Sequence, residues 1–106
     1  MKIIITGGAG FIGSNLAREL IHRHHTIKII DNLSSGRLDN IADIKNKAEF
    51  IKGDIKNLTV LKKEFKNYDV VLHHAAMRAV QKTVDNPLAA NKNNITGTLN
   101  VLTAAR

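Results

Sequence analysis

Residues 2–21 read KIIITGGAGFIGSNLARELI, and the order of events in this stretch decides the fold. Ile3, Ile4 and Ile5 form an unbroken apolar run, the pattern of a parallel strand covered on both faces. At Thr6 the pattern gives way to TGGAGFIG, residues 6–13. From there Phe11, Ile12, Leu16, Leu20 and Ile21 recur at helical spacing, which predicts an amphipathic helix of about 14 residues. Strand, glycine-rich turn and helix follow one another without a spacer.

Gly7, Gly10 and Gly13 are spaced GxxGxxG, and Gly8, Gly10 and Gly13 also satisfy GxGxxG. Glycines alone would serve any tight turn. Between a strand and a helix they do more: they let a pyrophosphate approach backbone N–H groups at the helix N-terminus, where a side chain would block it. A second apolar run, Ile27 to Ile30, ends on Asp31. A carboxylate there can accept hydrogen bonds from both hydroxyls of an adenosine ribose, and its charge repels a 2′-phosphate. The pair of signals predicts NAD in preference to NADP, with Arg37 a secondary feature of opposite tendency.

The rest of the chain continues the alternation. Phe50-Ile51 leads into Gly53-Asp54, and Val70-Val71-Leu72 leads into His73-His74. Between these runs Leu58, Leu61 and Phe65 mark a helix with Lys62, Lys63 and Lys66 facing out. The stretch from Ser34 to Ala48 reads as a polar loop and a short helix through Leu38, Ile41 and Ile44. A last helix after Pro87, capped by Asp85 or Asn86, carries Leu88, Ile95, Leu99 and Leu102. Strands alternating with helices imply an α/β, doubly wound parallel sheet of the Rossmann type, in spatial order 3-2-1-4.

Composition bounds the function. The 106 residues make one domain, and 43% hydrophobic with 24% charged residues is an ordinary balance for a water-soluble core-forming chain. No apolar run is long enough to span a bilayer, and MKIIITGG is too short for a signal peptide, so a cytoplasmic protein with no membrane partner is expected. The absence of Cys excludes disulfides, thiolate metal sites and Cys nucleophiles. The net charge of +7 is spread over Lys45, Lys47, Lys52, Lys56, Lys62, Lys63 and Lys66 without interleaved aromatics, which favours a solvated lysine surface over nucleic-acid binding. His22, His24 and His25 fall at a helix C-terminus, and the adjacent His73 and His74 point to opposite faces of a strand, so no metal site is expected.

Five blocks, TGGAGFIGSNLAREL, DNLSSGRLDNI, KGDI, VLHHAAMRAV and PLAANKNNITGTLNVLTAAR, resemble in order the extended short-chain dehydrogenase/reductase family of NAD-dependent epimerases and dehydratases. Within it they are most similar to the N-terminal part of UDP-glucose 4-epimerases. The resemblance implies that Gly7, Gly10, Phe11, Ile12 and Gly13 lie against the pyrophosphate. It places Asp31, Asn32, Ser34, Ser35 and Gly36 around the adenosine ribose, and Asp54 and Ile55 beside the adenine. Ala75, Ala76 and Arg78 would line the nicotinamide, with Asn94 reaching back from the last helix. His24 stands where relatives usually have Gly, Arg78 where epimerases often have Lys, and Thr83 where many have Ser.

The family's Tyr-x-x-x-Lys pair is not found: the only tyrosine is Tyr68, followed four residues later by Leu72. The expectation is therefore an NAD-binding portion, residues 1–106, that stops before the catalytic pair and the substrate domain and has no catalytic residues of its own. A nucleotide-sugar substrate would be a partner only of the full-length enzyme. Sugar-nucleotide 4,6-dehydratases and decarboxylases, and a stand-alone non-catalytic nucleotide-binding module, are the alternatives. An open fourth strand and the apolar last helix predict a homo-oligomer.

Overall fold

The fold is described from a computed structural model and covers residues 1–34, 36–75 and 97–105. The elements are β1 (Lys2–Thr6), α1 (Phe11–His22), β2 (Thr26–Asp31), a 3-10 helix (Leu38–Ile44), β3 (Ala48–Lys52), α2 (Leu58–Phe65), β4 (Val70–His73) and α3 (Gly97–Ala105). The strands form one sheet in the order β3-β2-β1-β4, with every neighbouring pair parallel. The fold is thus the predicted doubly wound α/β half. Ile3 is aligned with Ile27 on one side and with Val70 on the other, so β1 lies in the middle.

Strand side chains alternate between the two faces, and the core divides accordingly. Ile3, Ile5, Ile27 and Ile29 pack on one face with Ala17 of α1 and with Ile41 and Ile44 of the 3-10 helix. Ile4 and Ile30 pack on the other with Ile55, Leu61 and Phe65 around α2 and with Val101 of α3. The continuous isoleucine runs are therefore the signature of a sheet that has no wet face. Lys28 is the exception. Its ammonium is buried, 3.0 Å from Glu64 Oε2 and 4.6 Å from the centre of the Tyr68 ring, so the charge is paired rather than stranded.

Helix α1 has 12 residues, and its buried face follows the predicted stripe at Leu16, Leu20 and Ile21 but not at Phe11 and Ile12. Phe11 and Ile12 are 80% and 52% exposed, while Gly13, Ser14 and Ala17 are buried. The first turn buries its small residues Gly13 and Ser14 against the glycine turn and leaves Phe11 and Ile12 outside, so Leu16, Leu20 and Ile21 are the residues of the predicted stripe that reach the core. His24, just after α1, takes the left-handed conformation, with φ of 69°. The segment read as a short helix is a 3-10 helix; it buries Ile41 and Ile44 but leaves Leu38 exposed. Leu99 and Leu102 of α3 are also exposed, and β4 is half-buried along its length. The predicted start of the last helix, with Asp85, Asn86, Pro87, Leu88 and Ile95, falls outside the described residues. Among the described residues no helix is long and apolar enough to cross a membrane.

Candidate dinucleotide site

Strands β1, β2, β3 and β4 all end at the same edge of the sheet, and those of the residues singled out in the sequence that the structure describes collect there. The β1–α1 turn is the tightest part. The Gly7 N–H donates to Ile30 O of β2 at 2.8 Å, and the Gly10 N–H donates back to Gly7 O at 3.1 Å. Gly7 has φ of 72°, and a Cβ on it would stand 2.7 Å from the backbone of His74 and Ala75 at the end of β4. Any other residue would be strained there and would also push β4 away. A Cβ at Gly13 would lie 2.5 Å from Gly7 O, so helix and turn are in direct backbone contact.

At its N-terminus α1 has Gly10 as cap, with no side-chain cap hydrogen bond and no acidic residue in the first turn. The first N–H groups of any helix lack intrahelical acceptors and carry the positive end of the dipole. Here nothing in the cap residue answers them. The exposed Phe11 and Ile12 flank this end.

Asp31 closes the second side. Its Oδ2 accepts the Ala9 N–H at 3.0 Å and its Oδ1 accepts the Leu33 N–H at 2.7 Å. Leu33 takes a left-handed φ of 64°, an unusual position for a leucine that the Asp31 bond helps to hold. Asp31 is 7% exposed, and each carboxylate oxygen keeps a further lone pair. Gly36 packs on it: a Cβ there would be 2.7 Å from Asp31 Oδ2. Asn32 folds back through its Oδ1 onto the Ser34 N–H at 2.9 Å and offers its Nδ2 to Asp54 Oδ2 at 3.3 Å. Asp54 also accepts the Lys56 N–H at 2.8 Å, so the ends of β2 and β3 are tied together. Ile55 places its side chain in the core, and its carbonyl accepts from Asn100 Nδ2 of α3 at 3.0 Å.

The third side is the end of β4. Thr6 Oγ1, fully buried, accepts the N–H groups of His74 at 3.1 Å and Ala75 at 3.3 Å. With both lone pairs used, its proton goes to His73 Nδ1, 2.6 Å away. The ring proton of His73 therefore sits on Nε2, which donates to Thr98 Oγ1 of α3 at 3.1 Å. One threonine thus orients the backbone at Ala75.

Gly7, Gly10, Phe11, Ile12, Gly13, Asp31, Asn32, Ser34, Gly36, Asp54, Ile55 and Ala75 all stand at the carboxyl edge of the sheet or in the turns that leave it. Ser35, Ala76, Arg78, Thr83 and Asn94 lie outside the described residues. Thr6, Ala9 and Leu33 were not singled out by sequence. They act through backbone groups or a single buried hydroxyl, which leave no residue-type pattern. Tyr68 precedes β4 and therefore lies at the opposite end of the sheet, against Lys28.

Comparison with known proteins agrees with this fold. Residues 4–106 match the family model described as GDP-mannose 4,6 dehydratase. The chain is 41% identical over 98% of its length to a putative UDP-glucose 4-epimerase of Methanocaldococcus jannaschii, of which it spans 33%. It is 36% identical over its whole length to a UDP-glucose 4-epimerase of Klebsiella pneumoniae, of which it covers 81%. A solved dTDP-glucose 4,6-dehydratase of Streptomyces venezuelae, with NAD bound, superposes with a TM-score of 0.93 at 29% identity, over 99% of this chain and 35% of that one. The chain belongs to the GDP-mannose 4,6-dehydratase family of NAD-dependent sugar-nucleotide epimerases and dehydratases. It spans about a third of the length of the M. jannaschii relative.

Proposed function

We propose that this chain is the NAD-binding portion of a sugar-nucleotide 4-epimerase resembling UDP-glucose 4-epimerase. The observation that carries the reading is the β1–α1 turn: glycines walled by the backbone of β4, opening onto an uncapped helix N-terminus, with Asp31 at the end of β2. The turn suits a dinucleotide because Gly7 and Gly13, with no Cβ, let strand, turn and helix backbones meet directly, and because its donors are amides while the Asp31 carboxylate lies to the ribose side.

In this reading Gly7, Gly10, Phe11, Ile12 and Gly13 hold the pyrophosphate. Asp31 accepts from the adenosine ribose with the lone pairs its backbone bonds leave, and Asn32, Ser34, Ser35 and Gly36 border it. Asp54 and Ile55 flank the adenine, and Ala75, Ala76, Arg78 and Asn94 lie toward the nicotinamide. Bound NAD would supply the hydride acceptor and donor for chemistry at the sugar C4 in the full-length enzyme that this reading implies. The chain's own part is to bind and orient. Its only tyrosine stands at the far end of the sheet, so no residue here is assigned to proton transfer, and the 106 residues by themselves are expected not to turn over UDP-glucose.

A 4,6-dehydratase is the second reading, supported by the family model and the S. venezuelae superposition. Calorimetric titration with NAD and NADP tests the common core of both. NAD binding, with NADP weaker and Asp31→Ala impaired, is the expected result. A preference for NADP would overturn it.

A further inference from the structure

Ala9, fully buried at the crest of the glycine turn, is held through its N–H by Asp31 and through its carbonyl by residues outside the proposed dinucleotide contacts. Its N–H goes to Asp31 Oδ2 at 3.0 Å. Its carbonyl accepts twice, from the Arg37 N–H at 3.0 Å and from Asn40 Nδ2 at 2.8 Å. Asn40 lies in the 3-10 helix and is itself fixed: its backbone carbonyl accepts from Arg18 Nη2 of α1. The Arg18 guanidinium holds Asp43 at 2.7 and 2.8 Å and Asn15 Oδ1 at 3.0 Å. That bidentate bond keeps the Asp43 carboxyl below the usual carboxylate range. A chain of hydrogen bonds thus runs from α1 through the 3-10 helix to the turn and on to β2.

The bond that matters is the one between Asn40 and the Ala9 carbonyl. This carbonyl shares a peptide plane with the Gly10 N–H, and Gly10 caps α1. Glycine is free enough in φ for such a plane to flip. The Gly10 N–H donates to Gly7 O, so a flipped plane would break that bond, set two carbonyl oxygens against each other and distort the turn from which the α1 amides meet an anion. Two donors on the Ala9 carbonyl and the Gly10 N–H bond to Gly7 O oppose that flip, and of these Asn40 alone acts through a side chain.

We propose that Asn40 is a positioning residue for the pyrophosphate cradle, holding the Ala9–Gly10 peptide so that the α1 amides face the anion. The proposal rests on the NAD reading above. It specifies that Asn40 acts on pyrophosphate-bearing ligands and not on the adenosine end, which Asp31 and Asp54 serve.

The test uses the 106-residue chain with Asn40→Leu, which keeps the size and removes the donor, and Asn40→Ser, which keeps a donor too short to reach. Affinities for NAD and for adenosine are measured by nuclear magnetic resonance, together with the amide shifts of Gly10 and Phe11 without ligand. NAD affinity should fall about ten-fold in both variants, the size of one hydrogen bond's contribution. Adenosine affinity should stay within about two-fold, less than half of that effect in free energy. The Gly10 and Phe11 amides should shift in the free variants. Folded variants that bind NAD like the wild type, or that lose NAD and adenosine together, would overturn the proposal while leaving the NAD reading intact. A wild-type chain that binds adenosine but not NAD would overturn both.

Discussion

The β1–α1 turn and the β3–α2 turn both carry the chain from the carboxyl end of a parallel strand into a helix, and they treat the helix amides in opposite ways. At α2 the Asn57 side chain accepts the Val60 N–H at 3.2 Å, and Asp54 folds the approach through the Lys56 N–H. That helix end is closed by its own side chains. At α1 the cap is Gly10, which has no side chain to offer, and the flanking Phe11 and Ile12 are exposed. The turn is instead braced from behind, through Ala9, Asp31, Arg37 and Asn40. A capped helix end contributes stability; a bare one on a rigid back gives a ligand its donors.

The largest expected effect comes from the glycines of the two turns. Gly7→Ala places a Cβ 2.7 Å from the β4 backbone at φ of 72°. It should cost at least ~2 kcal/mol, or a fall of roughly 10 °C in melting temperature. Gly53→Ala, in the other turn, meets only side-chain carbons at 3.4 Å or more and should shift the melting temperature by no more than a few degrees, under ~1 kcal/mol. Equal losses at the two positions, read by thermal circular dichroism, would erase the distinction.

Exchanging the caps sharpens the comparison. Gly10→Asn supplies the missing side-chain cap, so it should leave stability unchanged or raise it by a few tenths of a kcal/mol, while lowering NAD affinity by ~10-fold or more through competition for the same amides. Asn57→Ala should do the reverse, costing ~1 kcal/mol of stability with NAD affinity unaltered. Paired melts and titrations of these two variants decide it. A smaller effect concerns the wall of the site: nitrogen shifts of His73 should report the Nε2–H tautomer, and Thr6→Val should abolish that preference. A Nδ1–H tautomer in the wild type would show that Thr6 does not donate to the ring.

Much of this was legible in the sequence, because the signals were backbone requirements expressed as residue types. The isoleucine runs gave strands covered on both faces, and Gly7, Gly13 and Asp31 marked the ends of β1 and β2. What escaped reading was of two kinds. Phe11 and Ile12 fit a helical stripe, yet the first turn of α1 packs through Gly13 and Ser14 and leaves the two large residues exposed. The bracing of Ala9 by Asn40 joins residues 31 positions apart through a side-chain amide and a main-chain carbonyl, a contact with no periodicity and no motif. Lys28 was hidden for a related reason: its partner Glu64 is 36 positions away, and only the packing of α2 on β2 brings them together.

Association sits at the margin of the comparison, since it concerns β4 and α3 and not either turn. Leu99 and Leu102 are each 62% exposed, and β4 is half-buried throughout, so light scattering across a concentration series at physiological salt should show self-association. A monomer at every concentration would show that these surfaces stay apart.

The central claim is that the α1 amides, left open by Gly10, receive the dinucleotide while the α2 amides do not. Amide shift mapping of the 106-residue chain during titration with NAD tests it directly. The account predicts that the amides of residues 10–13 move most, followed by those near Asp31, while residues 57–60 stay in place. Saturating NAD that shifts residues 57–60 and leaves residues 10–13 unmoved would contradict it.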